Sequence, residues 1–286
     1  MRLLVILSTI LVLFSSCQSS ETGGQMQAGS ANGSLFIIGG GSRPDAMVQR
    51  MISESGVGQS GYIVILPMAS SEPDSAIIWS SQQFVDNGVR RIVGFNFLPG
   101  IIPDAARLDS LQKASLIYIS GGDQNRFMDI VRGTPIFNAI LEAYRSGAVI
   151  AGTSAGAALM SGKMITGTEL KYPDYKPTFR SLEADNLELK EGLGLISNAI
   201  VDQHFVWRSR HNRLLTAILE YPDILGIGID EATALLLKGD SAEVIGLSQV
   251  MVYSNPTGSI KNVNGKLGAN GLRLDVYLPG EKFSLK

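Results

Sequence analysis

The chain has 286 residues, 45% of them hydrophobic, enough to bury a full-sized core in one large domain or two small ones. A net charge of -2 gives no sign of a nucleic-acid partner, and 17% charged residues with 32 glycines fit a tightly turned α/β protein, not a disordered one. One cysteine, Cys17, and two histidines, His204 and His211, exclude an internal disulfide, leave no thiol nucleophile beyond residue 17, and argue against metal sites built from Cys and His.

Residues 1–17 carry Arg2 and then an apolar run to Phe14, too short to span a bilayer but of the length of a signal-peptide core. The run closes on small residues and then Cys17, which resembles a bacterial lipoprotein leader, although Phe14 is less usual than leucine three places before the cysteine. That pattern predicts cleavage before Cys17, lipidation there, and an anchored protein of the cell envelope, periplasmic or on the cell surface. An ordinary secretory signal is the simpler alternative. Residues 18–33 are rich in Ser, Gly, Gln and Ala without apolar periodicity. They read as a flexible tether with a reach of roughly 20–25 Å.

From Ser34 the pattern is α/β. Residues 35–38, 62–66, 91–95 and 116–119 are apolar runs of strand length, separated by helical stretches near 44–53, 75–87 and 103–113. Such a series predicts a mostly parallel, doubly wound sheet with helices on both faces. Gly39-Gly40-Gly41 lacks the spacing of a dinucleotide fingerprint and reads as a turn or pocket wall. Ser120-Gly121-Gly122-Asp123-Gln124 follows the fourth strand, at the sheet edge where ligands bind. Its glycines allow close approach, so the Gly122 amide is a candidate oxyanion donor; Gln124 either orients substrate or caps the next helix.

Residues 148–160 then give an apolar strand, a turn of small residues and the start of a helix. Within them, Gly152-Thr153-Ser154-Ala155-Gly156 matches the G-x-S-x-G nucleophile elbow in its required context. A serine at so sharp a turn must take a strained backbone, and small neighbours let strand and helix pass closely. The Ala155 amide would face a developing oxyanion. A Gly/Ser-rich loop or a phosphate-binding helix start is the plainer reading of the same residues.

A serine nucleophile needs a base, and the base needs an orienting acid. His204 ends an apolar strand (199–201) at the ligand edge and is the candidate base, whereas His211 lies among polar residues of a helical pattern and reads as solvent-facing. Glu169, Asp174, Asp202 and Glu231 are all candidate acids; spacing does not choose, although Asp202 fits a substrate contact better. Arg208, Arg210 and Arg213 follow within ten residues of the base, and arginine forks suit carboxylates. The tail from Thr233 reads as short strands with Asn-Gly turns, an antiparallel edge to the sheet.

Four ordered motifs together resemble cyanophycinase and the serine-peptidase family that it shares with the aspartyl dipeptidase peptidase E. They are G-T-S-A-G-A around Ser154, G-G-D-Q at 121–124, D-Q-H-F-x-x-R-x-R-x-x-R-L at 202–214, and G-I-G-I-D-E at 226–231. The resemblance implies a flavodoxin-like fold akin to class I glutamine amidotransferases, with serine in place of their cysteine and no cofactor. It implies Ser154 as nucleophile, His204 as base and Glu169 as acid, with Gln124, Asp202, Gln203, Arg208, Arg210 and Arg213 in the substrate pocket. The implied reaction is hydrolysis of β-aspartyl linkages in a peptide or cyanophycin-like substrate, releasing β-Asp-Arg dipeptides, in a chain that could pair as a homodimer. Residues 170–191 look longer than the family's connection there. An esterase of the α/β-hydrolase type and a non-catalytic binding lipoprotein are the other readings.

Overall fold

A computed structural model describes residues 33–174, 176 and 178–286; the expected leader, Cys17 and the tether up to residue 32 lie outside the described residues. Gly33, assigned above to the tether, is buried.

The first half alternates strand and helix: β1 (Ser34–Ile38), α1 (Asp45–Ser55), β2 (Ile63–Leu66), α2 (Pro73–Asp86), β3 (Ile92–Gly94), α3 (Ala105–Gln112), β4 (Leu116–Ile119), α4 (Gln124–Val131), α5 (Pro135–Arg145) and β5 (Val149–Thr153). Proline opens α2 and α5, where its missing N–H costs nothing, and the Asp104 and Asp123 carboxylates cap α3 and α4. β1, β2, β4 and β5 are buried at every position, as strands covered on both faces must be. Alternation then divides them between two cores. Leu35, Ile37, Val64 and Ile117 enter one core, and Phe36, Ile38, Ile63 and Leu116 the other.

The second half adds α6 (Ala155–Ala158), β6 (Lys163–Glu169), β7 (Leu187–Glu191), β8 (Ala199–Gln203), α7 (His211–Glu220), β9 (Leu225–Ile229), β10 (Thr233–Lys238), β11 (Ser241–Gly246), β12 (Val250–Ser254), β13 (Lys261–Val263), β14 (Lys266–Gly268), β15 (Arg273–Tyr277) and β16 (Lys282–Ser284). The main sheet runs β16-β11-β10-β1-β5-β4-β2-β3, parallel from β1 to β3 and antiparallel beyond β1. One difference from the expected architecture matters for the site. β8 and β9 do not extend the parallel sheet; they form a second sheet, β15-β12-β9-β8. The reason is edge pairing: β10 hydrogen-bonds the free side of β1 from Leu35 to Ile38, so that side is closed to any later strand. The second sheet instead packs Val201, Ile227 and Ile229 into the first core. Its other face carries α7, with Phe205, Leu214 and Ile218.

Candidate active site

Ser154 stands where β5 gives way to α6, with φ 54° and ψ −113°, a conformation costing on the order of 1–3 kcal/mol for a residue with a side chain. Sterics leave the chain no easier path. A Cβ on Gly152 would sit 2.5 Å from the carbonyl carbon of Gly156, and one on Gly156 would sit 2.5 Å from the carbonyl oxygen of Ile119. Strand, turn and helix therefore close on one another only through glycine. The Ser154 amide donates to Ile38 O at 3.0 Å, and its carbonyl accepts from Ala157 and Ala158 at 2.9 and 3.1 Å.

His204 follows β8 in a left-handed conformation, φ 49°, with its amide donating to Gly39 O at 2.7 Å. Its Nε2 lies 2.9 Å from Ser154 Oγ and its Nδ1 2.5 Å from Glu231 Oε1. A carboxylate on Nδ1 keeps the proton there and leaves Nε2 free to accept the serine proton. Gly40, with φ 118°, forms the wall behind the ring: a Cβ there would lie 2.5 Å from Nε2. The triple glycine is thus a wall of this site. Burial pushes the His204 pKa below the ordinary histidine value; the Glu231 hydrogen bond pulls the other way, and Arg208 and Arg210 add to the depression. The resting imidazole is accordingly held neutral and ready to take a proton.

The loop after β4 lies alongside. A Cβ on Gly121 would stand 3.3 Å from Ser154 Cβ, and Gly122, with φ 138°, leaves no room for one, since it would meet the carbonyl carbon of Ala69 at 2.5 Å. Among the described residues, neither the Gly122 nor the Ala155 amide donates to a carbonyl outside its own element. Both remain available to a ligand on the serine.

The other sequence candidates divide. Glu169, implied by resemblance as the acid, does not fill that place; His204 Nδ1 is taken by Glu231. Glu169 ends β6, where burial raises its pKa and Lys176, Glu183 and Arg180 are its charged neighbours. Asp174 is exposed. Gln124 neither caps α4, which Asp123 does, nor reaches outward: its Nε2 donates to Ile165 O at 2.7 Å and Thr166 O at 2.9 Å, tying α4 to β6. Asp202 is buried and ion-paired with Arg213, whose Nε donates to Oδ2 at 2.6 Å and whose Nη2 meets Oδ1. Gln203 Oε1 accepts from Arg210 Nη1 at 2.5 Å. These four side chains pair with one another around the base-bearing strand. Arg208 differs, being partly exposed with no carboxylate partner among the described residues.

His211 is not solvent-facing. Its ring meets Phe205 edge-on at 4.8 Å between centroids, and its Nδ1 lies 2.9 Å from the Tyr253 hydroxyl. The long connection after β6 packs beside the base: Phe179 is buried with Phe205 and Leu214, its carbonyl accepts from Asn212, and Thr178 Oγ1 donates to Arg208 O at 3.3 Å. Glu231 was one of four open carboxylates in the sequence. Its distinguishing signal is the place it holds, directly after a buried strand, β9, parallel to the one that carries the base.

The chain is similar to known proteins over most of its length. Residues 35–245 match the model of peptidase family S51. A cyanophycinase from Nostoc sp. is 34% identical over 266 residues, covering 88% of this chain and 85% of that protein. One from Geminocystis herdmanii is 32% identical over 268 residues, covering 88% and 94%. The crystal structure of a peptidase from an acI-B1 Actinobacterium superposes with a TM-score of 0.62 at 26% identity, over 90% of this chain and 98% of that one.

Proposed function

The chain belongs to peptidase family S51 and is a serine-type peptidase of the cyanophycinase and peptidase E kind, and from that premise we propose that it hydrolyses the backbone peptide bonds between β-linked Asp-Arg units and so releases β-Asp-Arg dipeptides. The observation that carries the chemistry is the unbroken hydrogen-bonded series Ser154, His204, Glu231. His204 Nε2 takes the proton as Ser154 Oγ attacks the scissile carbonyl, and Glu231 stabilises the imidazolium. The Gly122 and Ala155 amides receive the oxyanion. The imidazolium then gives its proton to the leaving amine, and water activated by the same His204 resolves the acyl-serine. Arg208 is the group placed to receive a substrate carboxylate. The parallel strands run β3-β2-β4-β5-β1; the first four follow the 2-1-3-4 succession of flavodoxin-like sheets, with β1 in the fifth place, which supports the finer fold reading.

Incubation with cyanophycin and with α- and β-linked Asp-Arg peptides tests the proposal. Release of β-Asp-Arg that disappears in Ser154→Ala supports it; cleavage of α-aspartyl peptides alone assigns a peptidase E activity instead. Binding without turnover in both proteins overturns it. The leader supports a second, separate proposal, lipid anchoring at Cys17, which metabolic labelling with a fatty acid checks by its loss in Cys17→Ala.

A further inference from the structure

The turn that leaves the base carries a large side chain with no place in the triad. Trp207 is 74% exposed, although it lies only three residues beyond His204. Its position is nevertheless fixed. The amides of Val206 and Trp207 both donate to Asp230 Oδ1, at 3.1 and 2.9 Å, and Asp230 is the neighbour of Glu231. Asp230 is itself held by Ser248 Oγ at 2.7 Å. On the other side, Thr178 holds the Arg208 carbonyl. The turn thus keeps one geometry while leaving an indole in water.

Arg208 N donates to His204 O at 2.9 Å and Ser209 N to Val206 O at 3.0 Å, so the chain makes a hydrogen-bonded turn directly after the base. Arg208 closes that turn onto the carbonyl of His204 and is near enough to lower its pKa. An exposed aromatic residue and a partly exposed cation thus follow each other on the turn that leaves the base, on a backbone that does not have to be ordered when substrate binds.

We propose that Trp207 is a specificity-determining residue whose indole face stacks on the cationic side chain of the substrate's arginine, while Arg208 receives a carboxylate of the same unit. This rests on the β-Asp-Arg reading given above. Arginine is the cation best matched to such a surface, because its planar, weakly hydrated guanidinium stacks on a ring where an ammonium does not.

The chain has two tryptophans, Trp79 and Trp207, so a Trp79→Phe, Ser154→Ala protein reports on Trp207 alone without turnover. Its emission is expected to change on titration with a short β-Asp-Arg oligomer and to stay unchanged at the same concentrations of the citrulline counterpart, which keeps the shape and loses the charge. In the active enzyme, Trp207→Ala is expected to raise KM for the arginine oligomer roughly 2- to 30-fold with kcat little altered, and Trp207→Phe to recover part of the loss. An unchanged KM in Trp207→Ala, or an equal response to the citrulline oligomer, overturns the stacking role while leaving the peptidase assignment in place. Absence of turnover by the wild-type enzyme overturns that assignment, and the stacking role with it.

Discussion

Ser154 and His204 belong to regions held by different forces. The serine is positioned by volume: Gly152 and Gly156 let strand and helix close on each other, and the residues flanking them in β5 and α6 are small, uncharged and buried. The histidine is positioned by charge and polarity: Asp202, Gln203, Arg210 and Arg213 are buried around its strand in paired contacts, and Asp230 holds the turn beyond it. Two backbone hydrogen bonds at the β1 end tie the regions together, Ser154 N to Ile38 O and His204 N to Gly39 O. A steric site tolerates no added atom, whereas an electrostatic one tolerates no lost partner. Substitutions in the two regions should fail accordingly.

The largest effect is expected at the nucleophile. Ser154→Ala should lower kcat on the order of 10⁴-fold or more, with a melting temperature no lower than wild type because only a strained, catalytic group changes. Glu231→Gln comes next, with a loss on the order of 10³–10⁴-fold from a wrongly oriented base, while Glu169→Gln should stay within about 3-fold. The opposite ranking in a steady-state assay would return the acid to Glu169. Gly40→Ala probes the wall: by displacing the ring it should cost on the order of 10²-fold in kcat while far-UV circular dichroism stays native.

Arg213→Leu tests the charged region and should strike stability instead. It strands the Asp202 carboxylate in the interior, at a cost of about 3–5 kcal/mol by urea denaturation, and Asp202→Asn in the same chain should restore part of it. The smallest effect is a displacement in pH. Because burial holds the His204 pKa below the ordinary value, activity is lost only as pH falls through that depressed pKa and the imidazole becomes charged. Arg208→Gln removes a neighbouring cation that favours the neutral ring, so the acid limb of kcat/KM should move upward. A limb that moves downward, or not at all, would place Arg208 away from the base.

Much of this was legible in the linear chain. The elbow reads from five consecutive residues, and the first four strands from apolar runs bounded by helical periods, because both depend on neighbours in sequence. His204 was found by scarcity as much as by pattern, since only two histidines exist. Gln124, Asp202, Gln203, Arg210 and Arg213 were read as pocket residues, and the structure adds what the sequence did not show, a partner for each within the protein: four of them pair with one another and Gln124 pairs with β6. No spacing rule tells a polar residue that meets substrate from one that meets its neighbour. His211 was misjudged for the same reason, its partners Phe205 and Tyr253 lying on other elements.

By itself, then, the sequence determined the sharp turn at Ser154 and the order of the early strands, because local sterics and periodicity admit few conformations. Which carboxylate completes the series, which arginines pair within the protein and which strands share a sheet were decided by tertiary structure. The physical reason lies in edge pairing. Once β10 has closed the free side of β1, the base-bearing strand must join another sheet, and its parallel neighbour β9 delivers Glu231 to His204. That pairing spans residues 199–229 and depends on hydrogen bonds that no local stretch encodes.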